Sequence, residues 1–225
     1  MGQGISDENG AGSKLPRGPH KLSREAVVDH QRRRLLAGAA TALAAHGYAE
    51  LTVEQILGEA GVSRTTFYEH FDNKRDCVLV AHEVAFGRLA AGLKRACAAE
   101  GEWPGKVAAA VAAAIDYATA VPEEAQLLVL DAIGTEPVLA RQAVASTDGL
   151  IGLLRSGREQ SERAAGLPEL TERALVGAMT SVIGARLVAG QADTLPALKP
   201  QLVELVLMPY VGLEEARRIA SGAGN

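Results

Sequence analysis

The chain has 225 residues, 48% of them hydrophobic, and a formal net charge of −4. That length allows one large domain or two small ones, and no uninterrupted apolar run reaches the roughly 18 residues of a membrane span. Only 4% of residues are aromatic and alanine is abundant, so the core is expected to come from closely packed helices. No segment alternates with a two-residue period rich in β-branched residues, and the fold class is all-α.

Residues 1–22 hold Gly, Ser and Pro without an apolar run, which predicts a disordered arm and no secretory signal. The net charge hides a local surplus. From Lys14 to Arg34 stand seven basic side chains (Lys14, Arg17, Lys21, Arg24, Arg32, Arg33, Arg34) against Glu25 and Asp29. Such an arm either follows DNA phosphates or is a solvated tail. Ser23 caps a first helix running to about His46 and ending at Gly47.

Residues 51–71, LTVEQILGEAGVSRTTFYEHF, carry the most information. Thr52 suits an N-cap, and Val53, Ile56, Leu57 and Ala60 follow at helical spacing. Gly61 ends that helix and Ser63 caps the next, Arg64 to about His70. Phe67 and Phe71, four apart, share an inward face. Arg64, Thr65, Tyr68 and Glu69 project away from it, with Thr66 and His70 on the flank. The helix formers that fill the rest of the chain are missing from Arg64 to Phe71. An ordinary αα-hairpin is the competing reading, but a polar helix on two aromatic anchors is suited to a DNA major groove.

This stretch resembles the N-terminal domain of the TetR family of bacterial transcriptional regulators. The residues that carry the likeness are Thr52, Ile56, Ala60-Gly61-Val62-Ser63, Phe67-Tyr68, His70-Phe71 and Lys74, with Arg34, Ala39-Ala40, Leu43 and Gly47-Tyr48 upstream. The chain departs from the pattern at Leu57, where the family often has Ala, and at Thr65, where it often has Gly. The resemblance implies a three-helix DNA-binding domain with a helix-turn-helix over residues 23–72. It also implies a helical effector-binding and dimerisation domain over 73–225. The expected function is a ligand-responsive cytoplasmic regulator, a repressor by family habit. It would bind a palindromic double-stranded operator as a homodimer and be released by a small apolar effector. The competing function is a helical protein-interaction module.

By position, Thr52, Tyr68 and Lys74 are expected on phosphates and Arg64, Thr65 and Thr66 on base edges, with His70 able to do either. Ser63 completes the DNA-facing set as the cap of the reading helix. Two reading heads roughly 34–36 Å apart can read a palindrome cooperatively, so a dimer is mechanically expected.

Downstream, Asp72 or Asn73 caps a helix to about Ala99, and Pro104 to about Ala120 form the next. Further helices are expected from Pro122 to about Ile133, Glu136-Pro137 to about Ala165, and Pro168 to Gly190. Another ends at Pro209, and Leu213 to Ala220 form the last. Leu175, Met179, Val182, Ile183 and Leu187 make one apolar stripe, and Leu202, Leu205 and Val206 a second. These are the candidate dimer interface, with Gly177, Ser181, Gly184 and Ala185 allowing close approach. The alternative is packing within the monomer. The implied effector pocket is assigned to Phe86, Leu89, Trp103, Val111, Ile115, Tyr117, Leu128 and Leu154.

No catalytic residue or cofactor is assigned. The five histidines (His20, His30, His46, His70, His82) lack H-E-x-x-H spacing, and there is no G-x-S-x-G, P-loop or C-x-x-C. No metal site is expected. Cys77 and Cys97 lie about 30 Å apart along one helix at 1.5 Å per residue and cannot bridge. Reduced thiols are the default reading, with a redox role for Cys77 as the alternative.

Overall fold

The computed structural model describes residues 24–129 and 147–222; the basic arm and the sequence-expected helix start at Glu136-Pro137 lie outside them. Every regular element among the described residues is helical. Helix α1 spans Arg24–Glu50, with a break at Gly47 where φ is 71°. Helices α2 (Val53–Ala60), α3 (Arg64–His70) and α4 (Lys74–Ala98) follow. Then come α5 (Trp103–Ala120), α6 (Pro122–Val129) and α7 (147–155). The chain ends with α8 (Glu162–Ala165), α9 (Thr171–Val188), α10 (Lys199–Val211) and α11 (Leu213–Gly222).

Two apolar cores organise these helices. The first gathers Leu35, Ala39, Leu43, Ile56, Ala60, Phe67 and Phe71 around the start of α4. It runs past residue 72, the boundary expected from sequence, along α4 to Ala85, and it takes in Leu127 of α6. The second is built from α5, α7, α9, α10 and α11. Helix α4 therefore belongs to the first core at one end and leads to the second at the other.

Helices α1 and α2 pack closely at Gly38. A Cβ on Gly38 would sit 2.8 Å from the Ala60 nitrogen and 3.0 Å from the Ile56 carbonyl oxygen. Only a glycine lets these backbones pack so tightly.

Three boundaries differ from the sequence reading. The helix expected to run unbroken to about Ala165 turns instead into a 3-10 stretch, Ser156–Gln160, before α8. Gly157 there lies against the Trp103 indole, where no Cβ fits. Helix α10 does not stop at Pro209 but runs through it to Val211. A proline that close to a helix end forfeits one backbone hydrogen bond, a loss the last turn tolerates. Helix α9 starts at Thr171 rather than Pro168.

A buried polar cluster ties the second core together. Glu172 is 1% exposed. Arg158 donates to both its oxygens (2.6 and 3.0 Å) and to the carbonyls of Leu167 and Pro168. The Tyr210 hydroxyl donates to Glu172 at 3.1 Å, and its ring lies 4.9 Å from that of Trp103. Trp103 in turn donates to the Leu153 carbonyl at 2.8 Å. The charge is buried but paired and fully hydrogen-bonded, the condition under which burial is tolerated.

Candidate DNA-binding surface and effector region

The turn between α2 and α3 is fixed by caps that can be read residue by residue. The Thr52 hydroxyl accepts from Gln55 N, and the Gln55 side chain accepts in return from Thr52 N at 2.7 Å, a capping box. Gly61 ends α2 in the left-handed conformation (φ 60°), and its carbonyl accepts from Arg34 at 2.9 Å. Ser63 caps α3 by accepting from Thr66 N at 3.1 Å, and its hydroxyl also meets that of Thr66 at 2.9 Å. Phe67 and Phe71 are buried with ring centroids 5.8 Å apart. The inward face is therefore occupied, and the outward face is left to polar groups.

On that outward face Ser63, Arg64, Thr65 and Tyr68 are exposed, while Thr66 and His70 are half-buried. Tyr68 is 50% exposed, with the Arg64 guanidinium 5.9 Å from its ring centroid. Arg64 also pairs with Glu54 of α2 at 2.7 Å. The Tyr68 hydroxyl and the Glu54 carboxylate both push the Arg64 pKa up. Glu54 was not singled out from sequence. It stands ten positions from Arg64, and no helical spacing links them.

Lys74, expected on a phosphate, is half-buried at the start of α4. Its ammonium turns inward, donating to the carbonyls of Tyr48 (3.2 Å) and Leu51 (2.7 Å) and lying 5.0 Å from the Tyr48 ring centroid. Those carbonyls border the α1–α2 connection, and a cation there satisfies both.

The residues assigned to an effector pocket separate into groups. Val111 and Leu154 line an apolar cavity of about 20 Å³, with Leu150, Leu153, Met179 and Val206. Phe86 lines an adjoining surface groove with Leu93, Lys94, Cys97, Leu150 and Leu153. Leu89 is half-buried on α4.

The other four residues assigned to the pocket are structural. Trp103 is held by Leu153 and Tyr210, and Ile115 is fully buried in the second core. Tyr117 donates toward Glu124 (2.9 Å) and the Ala85 carbonyl (3.1 Å), and burial raises its pKa. Leu128 packs against the first core, not the second. Leu150, Leu153 and Lys94 also line these spaces, and nothing local in the sequence marks which face of α4 and α7 meets the groove.

The apolar stripes assigned to a dimer contact mostly turn inward. Met179, Ile183, Leu187, Leu202 and Val206 are buried in the monomer's own core, and Leu175 packs against it. The physical cause is that α6, with α5 and α10, already covers that face of α9. Val182 and Leu205 do remain exposed, beside Val188 (61%) and Met208. The outward face of α9 carries the small residues Gly177, Ala178, Ser181 and Ala185, with Val182 and Val188, and exposes Arg173 and Ala174 near its start.

Cys77 is buried, with its Sγ near the Leu35 carbonyl, and burial pushes its pKa up to about 12. A thiol so held lies in the apolar surroundings opposite to those that activate a cysteine. Among the described residues no cluster of His, Cys, Asp and Glu is arranged to hold a metal. No described helix is long and apolar enough to cross a membrane.

Residues 35–81 match the family model described as bacterial regulatory proteins, tetR family. The HTH-type transcriptional activator FasR of Mycolicibacterium smegmatis (strain ATCC 700084 / mc(2)155) is 26% identical over 137 residues. The match covers 61% of this chain and 63% of that relative, so less than two thirds of FasR is spanned. Among solved structures, the fatty acid degradation regulator FadR of Bacillus halodurans superposes with a TM-score of 0.69 at 19% identity. That alignment covers 88% of this chain and 98% of FadR. FadR of Bacillus subtilis, solved in complex with stearoyl-CoA, gives 0.67 at 19% identity, covering 80% of this chain and 98% of that one. A TetR-like regulator from Rhodococcus sp. RHA1 gives 0.66 at 19% identity, covering 84% and 97%. Helix order, the capped turn and the match over residues 35–81 agree: this part of the chain is similar to the bacterial regulatory proteins of the tetR family, and the fold as a whole is that of the solved regulators above.

Proposed function

We propose that the protein is a transcriptional regulator that inserts α3 into the major groove of a palindromic operator as a homodimer and is released by an apolar effector. The observation that carries this reading is the exposed Arg64, Thr65 and Tyr68 face of α3, mounted on the buried rings of Phe67 and Phe71. In this reading Arg64, Thr65 and Thr66 read bases, Thr52 and Tyr68 contact phosphates, and Ser63 sets the start of the helix. His70, half-buried, serves at the edge. The functional division falls along α4, between the two cores.

The dimer is proposed to form through the outward face of α9, where Gly177, Ser181, Val182 and Ala185 permit a close helix contact, with Leu205 and Met208 of α10 beside it. The proposed effector carries an acyl chain. The groove beside Phe86 and Leu153 is apolar and has Lys94 at its edge to meet a negative head. The Bacillus subtilis FadR fold neighbour is complexed with stearoyl-CoA. The adjoining cavity of about 20 Å³ holds no more than a water, so binding the chain requires α7 to move away from α5. The effector acts only through its different affinity for the two conformations. Repression is the assigned outcome, because protein bound at a promoter excludes polymerase; the site of action is the cytoplasm.

A salt titration of binding to DNA upstream of the protein's own gene tests this. Affinity should fall linearly on a log–log plot with a slope set by the phosphates contacted. Weak, salt-insensitive association would instead favour a protein-interaction module. Sedimentation at micromolar concentration should show a dimer; a monomer there rules out the two-headed reading.

A further inference from the structure

We propose that the junction of α1, α4 and α6 holds a second small-molecule site, for an amphipathic anion with a compact apolar body and one carboxylate. The junction encloses a cavity of about 220 Å³, away from the groove beside α7. Its floor is apolar: Leu36 and Ala40 of α1, Ala81 of α4 and Leu127 of α6. Alanines at three of the places where the helices face one another (Ala37, Ala40 and Ala81) leave the space open.

The rim carries charge of one net sign. Two guanidiniums, Arg33 and Arg88, stand against one carboxylate, Glu124. Glu124 is already committed, one oxygen to Arg88 and the other to the Tyr117 hydroxyl at 2.9 Å. Arg33 donates through Nε to the Asp29 carbonyl of its own helix at 3.3 Å and has no carboxylate partner among the described residues. Its terminal nitrogens form a planar fork suited to a carboxylate. A carboxylate at Arg33 would restore charge balance at the rim while its body covers the alanine floor. An uncharged analogue forfeits the charge-assisted bonds, and a polar body forfeits the floor.

The floor residues belong to the first core, and α4 and α6 lead from it to the rest of the molecule. A ligand here touches three helices at once. It should favour whichever arrangement of α1, α4 and α6 fits it best.

The probe is benzoate, with benzamide as its uncharged isostere, titrated into the full chain and followed by NMR of the labelled backbone. Benzoate should give saturable shifts at Leu36, Ala40, Ala81 and Leu127, with benzamide about tenfold weaker or worse. Arg33→Gln should weaken benzoate by about tenfold without changing the unfolding temperature, because this side chain is exposed. Ala37→Leu should abolish the shifts by filling the cavity while circular dichroism shows the helices intact. Equal binding of benzamide, indifference to Arg33→Gln, shifts confined to Val111, Leu150 and Leu154, or no saturation would each overturn the proposal. The readout involves no DNA, so its failure is separate from failure of the regulator reading.

Discussion

The guanidinium of Arg64 and the carboxylate of Glu54 meet at 2.7 Å across the helix-turn-helix, with 61% and 60% of their side chains exposed. So well solvated a pair adds little to stability. Its value is positional: the Arg64 guanidinium is held out over Tyr68, where the proposed base reading would use it. Arg64→Ala is expected to weaken operator binding about tenfold and to remove the preference at one base pair. Glu54→Gln should tighten binding to unrelated DNA a few-fold, by removing a carboxylate from the phosphate-facing side, and blur operator choice. Anisotropy titrations against single-base operator variants measure both. An unchanged ranking of variants in Arg64→Ala would sink the assignment.

Gly38 gives a stability test that needs no DNA. Gly38→Ala places a methyl against the backbone of Ala60 and Ile56, which no side-chain rotation relieves. The expected loss is about 1–3 kcal/mol. Gly87 on the exposed side of α4 is the control, with nothing within 4 Å of an added Cβ. Gly87→Ala should gain about 0.5–1 kcal/mol from helix propensity. Urea unfolding of both variants gives the comparison, and a neutral Gly38→Ala would show that α1 and α2 are looser than the structure has them.

Glu172 predicts acid sensitivity. Its hydrogen bonds from Arg158 hold its pKa below the ordinary 4.5. The folded value is the lower one, so the stabilisation is fully present above pH 4.5 and is lost as pH falls through the folded value. Glu172→Gln should be less stable than the parent at neutral pH, and its stability should vary less with pH in the acid range. Thermal unfolding across that range reads the effect. Parallel curves for parent and variant would remove Glu172 from the account. Glu215 is also held low, by Arg218, but in solvent, so its share is small.

His82 predicts a second pH effect at milder acidity. It is fully buried on α4, and neither ring nitrogen has a hydrogen-bond partner among the described residues. Burial lowers its pKa below 6.5, so the unfolded chain takes up the proton first. Stability is therefore retained above 6.5 and declines as pH drops below it. His82→Leu should remove the unpaired nitrogens and stabilise more at about pH 5 than at about pH 7.5. Equal gains at both would mean that the histidine is not buried neutral.

Local signals in this chain were legible and distant ones were not. Thr52, Gly61 and Ser63 do what their residue types promise because a cap acts across three residues. The inward rings of Phe67 and Phe71 follow from spacing on one short helix. The apolar stripe of α9 was also real, but an amphipathic helix does not say which neighbour covers it. Met179, Ile183 and Leu187 meet their own core rather than a partner. Leu128, expected to line the effector pocket, packs against the first core because α6 returns to α1 across some ninety residues of chain. Pairings such as Glu54 with Arg64, or Glu172 with Arg158 and Tyr210, exist only once the chain has folded. The one hint left unused was Gly38, a residue that weakens a helix and so signals a tight neighbour.

Lys74 is the first residue of α4, and its ammonium is fastened to the Tyr48 and Leu51 carbonyls at the foot of the reading head. The long helix and the head are thus joined as a handle is joined to a key. In the proposed dimer on DNA, a twist applied far along α4 would reach α3 through this joint, and a few degrees there would take two keys out of register with one lock.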